Sequence, residues 1–205
     1  MNDPFAIPPG TAGLVFDLDG TLIDTMPGHY RYWCEALAEF GGKMTEAEFY
    51  GWAGVTTRQI VERLNVAHGW TLPVEDVVSR KEAVSVGHLA HVPLVIPVVE
   101  VARRYHGVLP MAIATGATRR FADAAVESTG LGQFFQVMVT ADDVARGKPA
   151  PDVFLEAARR LGVDPVLCVA FEDADLGLQS AREAGMAAID IRVALKQLAA
   201  GTAKA

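Results

Sequence analysis

The chain has 205 residues, of which 51% are hydrophobic and 21% charged, and its formal net charge at pH 7 is -7. This composition is typical of a folded globular protein with one well-buried core and room for one smaller appended unit. The negative charge argues against a nucleic acid or an anionic membrane as a partner, because either would be repelled at long range.

No segment has the features of a secretion signal or a membrane span. Residues 1–6 lack a basic stretch followed by an apolar one, and the apolar run at 92–99 is short and contains two prolines. Cys34 and Cys168 are far apart, and Cys168 lies in an apolar run, which indicates reduced thiols. We therefore expect a cytoplasmic protein, a monomer or weak dimer, with neither nucleic acid nor membrane as a partner.

The first predicted element is a buried strand at Gly13–Phe16, which is short, apolar and followed at once by Asp17. A helical pattern extends from about residue 27 to residue 90. Its first helix ends at Gly41-Gly42, and further helices are predicted at 57–68 and 75–88.

Beyond Pro93, short apolar runs alternate with amphipathic segments. The predicted strands are 111–114, 137–139, 166–171 and 187–189, and the predicted helices begin near Thr118, Pro151 and Ala174. This alternation predicts an α/β fold with a parallel sheet and helices on both faces. The helical block at 25–92 is then a cap inserted after the first strand, and the core consists of residues 1–24 and 93–205.

Polar groups follow four of the predicted strands and should meet at one edge of the sheet. They are Asp17 to Thr21, Thr115-Gly116, Gly147-Lys148-Pro149 and Glu172 to Asp175. Carboxylates about 4 Å apart repel by about 4 kcal/mol at an effective dielectric constant near 20, so a cation is needed among them. Mg²⁺ prefers such hard oxygen ligands, and it binds through carboxylates together with a substrate phosphate.

This chemistry suits phosphoryl transfer. A carboxylate at the strand end, Asp17, can attack phosphorus, and Asp19 can exchange a proton with the leaving oxygen and then with water. Thr115 offers a hydroxyl and Gly116 an open backbone amide to the phosphate, and Lys148 balances its charge.

These motifs resemble those of the haloacid dehalogenase superfamily: D-L-D-G-T-L from Asp17, T-G from Thr115, G-K-P-A-P-D from Gly147 and F-E-D-A from Phe171. The resemblance spans nearly the whole chain and implies a Rossmann-like parallel-sheet core with a small all-helical cap. It also implies Asp17 as nucleophile, Asp19 as acid and base, and Thr115 and Lys148 as phosphate ligands. The implied Mg²⁺ ligands are Asp17, the Asp19 carbonyl and Asp173, with Glu172 assisting.

Within the superfamily, the chain is most similar to the β-phosphoglucomutase-like subgroup and its fructose-1-phosphate/6-phosphogluconate phosphatases. His29 and Lys81 resemble cap residues that face the substrate in that subgroup, and Arg58 is a third candidate for substrate selection. The alternative for each is an ordinary solvated residue of a helix surface. Asp24-Thr25 fits equally well a helix entry or a support for the catalytic acids.

We thus expect a Mg²⁺-dependent phosphatase that hydrolyses a small phosphorylated metabolite, a sugar phosphate such as fructose 1-phosphate. A phosphomutase is the first alternative, although Thr115-Gly116 and Arg119 depart from the mutase pattern. Dehalogenation is disfavoured, since it needs neither Asp19 nor Asp173. A non-enzymatic protein that binds phosphorylated metabolites is the alternative from another class.

Overall fold

The computed structural model describes residues 3–52, 55–89 and 92–202, and at its centre lies a five-stranded parallel sheet. The strands are β1 (Gly13–Phe16), β2 (Met111–Ala114), β3 (Val137–Val139), β4 (Cys168–Glu172) and β5 (Ala187–Asp190), in the spatial order β3-β2-β1-β4-β5. Because neighbouring strands are parallel, their carboxyl ends share one edge. Asp17 follows the central strand at that edge, where such sheets bind ligands.

Helices cover both faces of this sheet, because its central strands are apolar on both sides. Leu14 and Phe16 face one layer of helices and Val15 faces the other, as the two-residue period of a strand requires. The first layer is α5 (Ile96–Tyr105), α6 (Arg119–Thr129) and α9 (Ile191–Thr202), and the second is α7 (Asp152–Leu161) and α8 (Asp175–Glu183). The α/β fold with a parallel sheet is confirmed.

Four further helices follow β1 in the chain and have an apolar core of their own. They are α1 (Met26–Ala38), α2 (Glu46–Gly51), α3 (Thr57–His68) and α4 (Val74–Gly87). Trp33 of α1 packs in this core with Ile60 and Leu64 of α3 and Val77 of α4. The apolar faces of these helices are thus buried mainly against one another, although Val86 of α4 packs against the core beside the sheet.

Two chain segments that run side by side link these four helices to the rest of the molecule. Ile23 forms an antiparallel bridge with Leu94, and the Asp24 amide donates to the Pro93 carbonyl at 2.8 Å. The Val95 amide donates to the Leu22 carbonyl at 3.0 Å. The predicted cap boundaries, 25 and 92, stay a prediction, and the paired segments lie beside them.

Most predicted elements are confirmed to within two residues of their bounds. Thr118 is the N-cap of α6 and accepts from the Phe121 amide at 3.3 Å, and Gly69 ends α3 with a φ of 66°. One strand prediction is wrong at its start: Val166 and Leu167 lie in a 3-10 turn, because Pro165 opens it and Asp164 caps it. Helix α2 lies inside the helical block that the sequence predicts, whereas the sequence pattern predicts neither α5 nor α9.

None of the helices in the described ranges is both long and apolar enough to cross a bilayer.

Candidate active site

A cavity opens at the carboxyl edge of the sheet, between the sheet and helices α1, α3 and α4. Most of the residues proposed from the sequence line it: Asp17, Asp19, His29, Lys81, Thr115, Gly116, Lys148, Glu172 and Asp173. They come from the ends of strands β1, β2 and β4, from the loop before α7, and from helices α1 and α4. Apolar and aromatic side chains, such as Trp33, Phe49 and Trp52, line the rest of it.

Lys148 joins two carboxylates at the bottom of the cavity. Its Nζ donates to Oδ1 of Asp17 and to Oε1 of Glu172, both at 2.6 Å, and all three side chains are buried. Desolvation opposes the charge on Lys148, but the two carboxylates outweigh it and hold its pKa above the ordinary value. Lys148 is therefore a permanent cation here.

For Asp17, the influences that disfavour the charged form outweigh those that favour it. Burial disfavours its charged form, and Glu172 and Asp173 repel it, so its pKa lies well above the ordinary value despite the attraction of Lys148. Its backbone amide donates to the Phe171 carbonyl at 3.0 Å, which fixes the residue between β1 and β4. One ammonium group is thus too little positive charge for the acids at this point.

Asp173 is the third acid of the group. Burial and the charge of Glu172 raise its pKa to about 7. Its Oδ1 accepts from the Thr21 hydroxyl at 3.0 Å, and a Cβ on Gly20 would lie only 2.3 Å from its Oδ2. Gly20, with a φ of +84°, is therefore required both for the turn and for the close approach of Asp173.

These three acids fit a divalent metal ion. Asp17, Glu172 and Asp173 each offer a carboxylate oxygen, and the three oxygens lie within 4.8 Å of one another. Asp17 and Asp173 have raised pKa values, because burial and the carboxylates beside them disfavour their charged forms. A set of carboxylate oxygens favours Mg²⁺ over Zn²⁺, which prefers nitrogen and sulfur.

The carboxylate of Asp19 points towards helix α1 instead. Its Oδ1 accepts from the Thr25 hydroxyl at 2.6 Å, and Nε2 of His29 lies 3.3 Å from the same oxygen, without the alignment of a hydrogen bond. Burial opposes ionisation, but His29, Thr25 and Lys81 together hold the pKa of Asp19 below its ordinary value. Thr25, which fitted two interpretations in the sequence, therefore holds a carboxylate of the site.

The loop after β2 presents unused hydrogen-bond donors to the cavity. The Thr115 amide donates to the Val139 carbonyl at 3.0 Å, and its hydroxyl oxygen accepts from the Ala117 amide at 3.0 Å. The Thr115 hydroxyl proton and the Gly116 amide have no acceptor among residues 3–52, 55–89 and 92–202. Both donors are thus available to an anion.

Lys81 extends from α4 into the same cavity and is buried. Its Nζ lies 5.8 Å from the centre of the Trp33 ring and 5.9 Å from that of Phe121. It has no hydrogen-bond or ion-pair partner in the described part of the chain, and desolvation lowers its pKa. His29 also lies there, with its ring edge-on to Phe121 at 5.6 Å, and burial lowers its pKa as well.

Arg58 is the one proposed site residue that the structure does not bring to the cavity. Its exposed guanidinium pairs with Glu75 at the start of α4, although the neighbouring Thr57 lines the cavity. The opposite side of α3 is buried through Ile60, Val61 and Leu64, and this orientation turns Arg58 outward.

Sequence reasoning missed two supports of the site. The first is Thr21, whose hydroxyl donates to Asp173. Its place in the motif D-L-D-G-T-L is the signal that could have identified it. The second is Gly177, where a Cβ would lie 1.7 Å from Oε1 of Glu172, so α8 packs directly on that carboxylate. The other carboxylate oxygen of Glu172, Oε2, accepts from the Ala174 amide at 2.7 Å. No pattern in the sequence distinguishes Gly177 from any other helix glycine.

Comparison with known proteins agrees with this geometry. A family model described as haloacid dehalogenase-like hydrolase matches residues 11–185. The chain is 38% identical over 182 residues to the fructose-1-phosphate phosphatase YqaB of Escherichia coli, an alignment that covers 89% of this chain and 97% of the relative. It is 29% identical to a phosphorylated carbohydrates phosphatase of Thermotoga maritima, covering 84% of this chain and 81% of the relative.

Among solved structures, the fold is similar to that of CbbY from Rhodobacter sphaeroides in complex with phosphate. The TM-score is 0.78 at 27% sequence identity, and the match covers 87% of this chain and 84% of the other.

Proposed function

Because this chain belongs to the haloacid dehalogenase-like hydrolases and is a phosphoric monoester hydrolase, we propose that it releases phosphate from a small sugar phosphate, with Mg²⁺, through a phosphate ester of Asp17. The observation on which this rests most is the placement of Asp17. It lies at the end of the central strand, beside Lys148, two further acids and the free donors of Thr115 and Gly116. This arrangement provides a nucleophile, a phosphate cradle and a metal site at one point.

Phosphate recognition comes from donors that the protein leaves unsatisfied. The Thr115 hydroxyl and the Gly116 amide face the cavity, and Lys148 supplies a cation that stays charged at neutral pH. Together they hold the phosphoryl oxygens with the phosphorus facing Asp17. Lys148 also fixes Oδ1 of Asp17, so that the carboxylate cannot rotate away.

The reaction proceeds in two displacements. A carboxylate oxygen of Asp17 bonds to phosphorus while the bond from phosphorus to the sugar oxygen breaks, and Asp19 gives that oxygen a proton. Water then attacks the phosphorus, Asp19 takes its proton, and the bond to Asp17 breaks to release phosphate. The substrate adds negative charge beside Asp19 and raises its pKa, which favours the proton that the first step needs.

Asp17, Asp173 and the Asp19 carbonyl would hold the Mg²⁺ ion, with Glu172 beside them. When bound, the ion supplies positive charge for the phosphoryl oxygens and for the acids that Lys148 alone does not neutralise. The raised pKa values of Asp17 and Asp173 support this, since burial and the neighbouring carboxylates disfavour both charges and a cation at that point would stabilise them.

The sugar moiety would occupy the outer part of the cavity, against helices α1, α3 and α4. His29 and Lys81 line this part with aromatic side chains, and Lys81 lacks a protein acceptor in the described ranges. The relative with 38% identity is named for fructose 1-phosphate, which makes a sugar of this kind our proposed substrate.

A phosphomutase would use the same carboxylates, so the two activities differ in the fate of the Asp17 ester. Arg119, which departs from the mutase pattern, donates to the Met138 carbonyl at 3.0 Å and pairs with Asp143, away from the cavity. It gives the second orientation of a mutase substrate no binding group, and this favours hydrolysis.

The test is phosphate release from fructose 1-phosphate, 6-phosphogluconate, β-glucose 1-phosphate and phosphoglycolate, with Mg²⁺ or with EDTA. We expect release that requires Mg²⁺ and that falls at least about a thousandfold in Asp17→Asn, which keeps the shape of the residue but not the nucleophile. Release by Asp17→Asn at the wild-type rate would disprove the covalent route. Conversion of β-glucose 1-phosphate only with a bisphosphate primer would identify a mutase.

A further inference from the structure

Glu82 is an acid of the cavity with no part in the chemistry described so far. It lies on α4, next to Lys81, and its Oε1 accepts a hydrogen bond from the hydroxyl of Thr118. Thr118 is the N-cap of α6 and comes three residues after Thr115. Glu82 is therefore close to the phosphate-binding loop, on the side where the sugar would lie.

The hydrogen bonds around Glu82 leave acceptor capacity unused. The single hydroxyl proton of Thr118 goes to Oε1, and the Thr118 oxygen accepts from the Phe121 amide at 3.3 Å. Oε2 of Glu82 has no donor within residues 3–52, 55–89 and 92–202. An ionised carboxylate only accepts hydrogen bonds, so a ligand at this oxygen must bring donors.

The neighbouring cation does not neutralise Glu82 directly. Nζ of Lys81 lies over the rings of Trp33 and Phe121, and it forms no ion pair with any described residue. Consecutive residues of a helix project in different directions, and here they present a cation and an anion at separate points of one wall. Lys81 and Glu82 attract each other across this separation, but they form no ion pair, so a negative group bound beside Glu82 would still meet a like charge.

We propose that Glu82 determines substrate specificity by accepting hydrogen bonds from hydroxyl groups of the leaving group and by repelling a carboxylate there. The substrate class is then a phosphorylated neutral polyol or sugar rather than a phosphorylated sugar acid. This inference rests on the proposed function, since it assumes that the cavity takes a sugar phosphate.

The test compares sorbitol 6-phosphate with 6-phosphogluconate, which share one carbon chain and differ by a hydroxymethyl group against a carboxylate. Wild type should have the higher kcat/KM for sorbitol 6-phosphate. Glu82→Gln keeps an acceptor for Thr118 and loses the charge, so the preference should fall about tenfold. Glu82→Ala is the second variant and should shift the preference in the same direction, and thermal melting checks the fold of each.

Thr118→Val is the control for the contact, because it removes the hydrogen bond to Glu82, together with the N-cap of α6, but leaves the charge of Glu82. Its preference should stay within about twofold of wild type. An unchanged preference in Glu82→Gln, or an equal fall in Thr118→Val, would overturn the inference, the latter by showing that the contact between the two helices matters and the charge does not.

Failure of this inference is distinguishable from failure of the proposed function. Release of phosphate from fructose 1-phosphate together with a preference for 6-phosphogluconate would overturn the role of Glu82 and leave the phosphatase proposal standing. No release from any sugar phosphate would overturn both.

Discussion

Removing the charge of Asp173 should make the metal-free protein more stable while it abolishes activity. The change is Asp173→Asn, which keeps an oxygen acceptor for the Thr21 hydroxyl and nearly the same shape. Asp173 has a pKa of about 7 in the folded protein because it is buried beside Glu172. Its ionisation therefore costs the folded state free energy that an amide does not cost.

The size of the effect follows from the shift. The pKa of Asp173 rises from 3.8 to about 7 on folding, and each pKa unit corresponds to about 1.4 kcal/mol, so the penalty at about pH 8 is about 4 kcal/mol. The folded state binds the proton more tightly, so wild-type stability falls as pH rises from about 4 to about 7. Local relaxation reduces the penalty, and we expect a gain of about 1–3 kcal/mol, or roughly 3–10 °C in Tm.

The assay is thermal unfolding in EDTA at about pH 8 and at about pH 5, followed by the same scans with Mg²⁺. The variant should be more stable than wild type at the higher pH, the gain should shrink at the lower pH, and Mg²⁺ should stabilise only wild type. Asp175→Asn is the matched control, because that carboxylate is exposed and pairs with Arg192 on the surface. A variant less stable than wild type in EDTA at the higher pH would refute the reasoning.

Two more variants test the groups around Asp173. Lys148→Met should destabilise the metal-free protein by about 3–5 kcal/mol at about pH 8, because two buried carboxylates lose their shared cation; urea unfolding measures this, and wild-type stability would contradict it. Gly177→Ala should lower phosphatase activity at least about tenfold, because a Cβ 1.7 Å from Oε1 must displace the Glu172 carboxylate. Gly87→Ala, in open space on another helix, is its control in the same activity assay, and equal activities would show that Glu172 has room to move.

The sheet was predictable from the sequence because its strands are short apolar runs that stop at polar residues. Gly13–Phe16 and Met111–Ala114 have the predicted bounds. The apolar run at 92–99 carries no such signal, since periodicity does not separate a short buried helix from a strand, and α5 begins inside it. Val166 and Leu167 look like strand residues, but a proline and an aspartate cap before them fix a 3-10 turn.

The cavity, too, has residues whose position the sequence predicts and residues whose position it does not. Asp17, Thr115 and Asp173 follow strands, and parallel topology alone brings them to one edge. Residues on helices are different, because their direction depends on how each helix packs. Arg58 turns outward while Lys81 turns inward, and no local signal separates the two. The roles of the site residues stay predictions that these variants test, and the cap boundaries also stay predictions.

The contacts of Lys148 also govern when in folding the enzyme can first act. Its partners Asp17 and Glu172 are 131 and 24 residues away in the chain, and Asp17 is further tied to β4 through its amide. Contacts of such long range form only after the intervening loops have closed. A partly folded chain contains Asp17, the proposed nucleophile, but it does not contain the assembled site. Phosphatase activity is in this sense a late event of folding, and a chain that has not yet brought β4 beside β1 is catalytically silent.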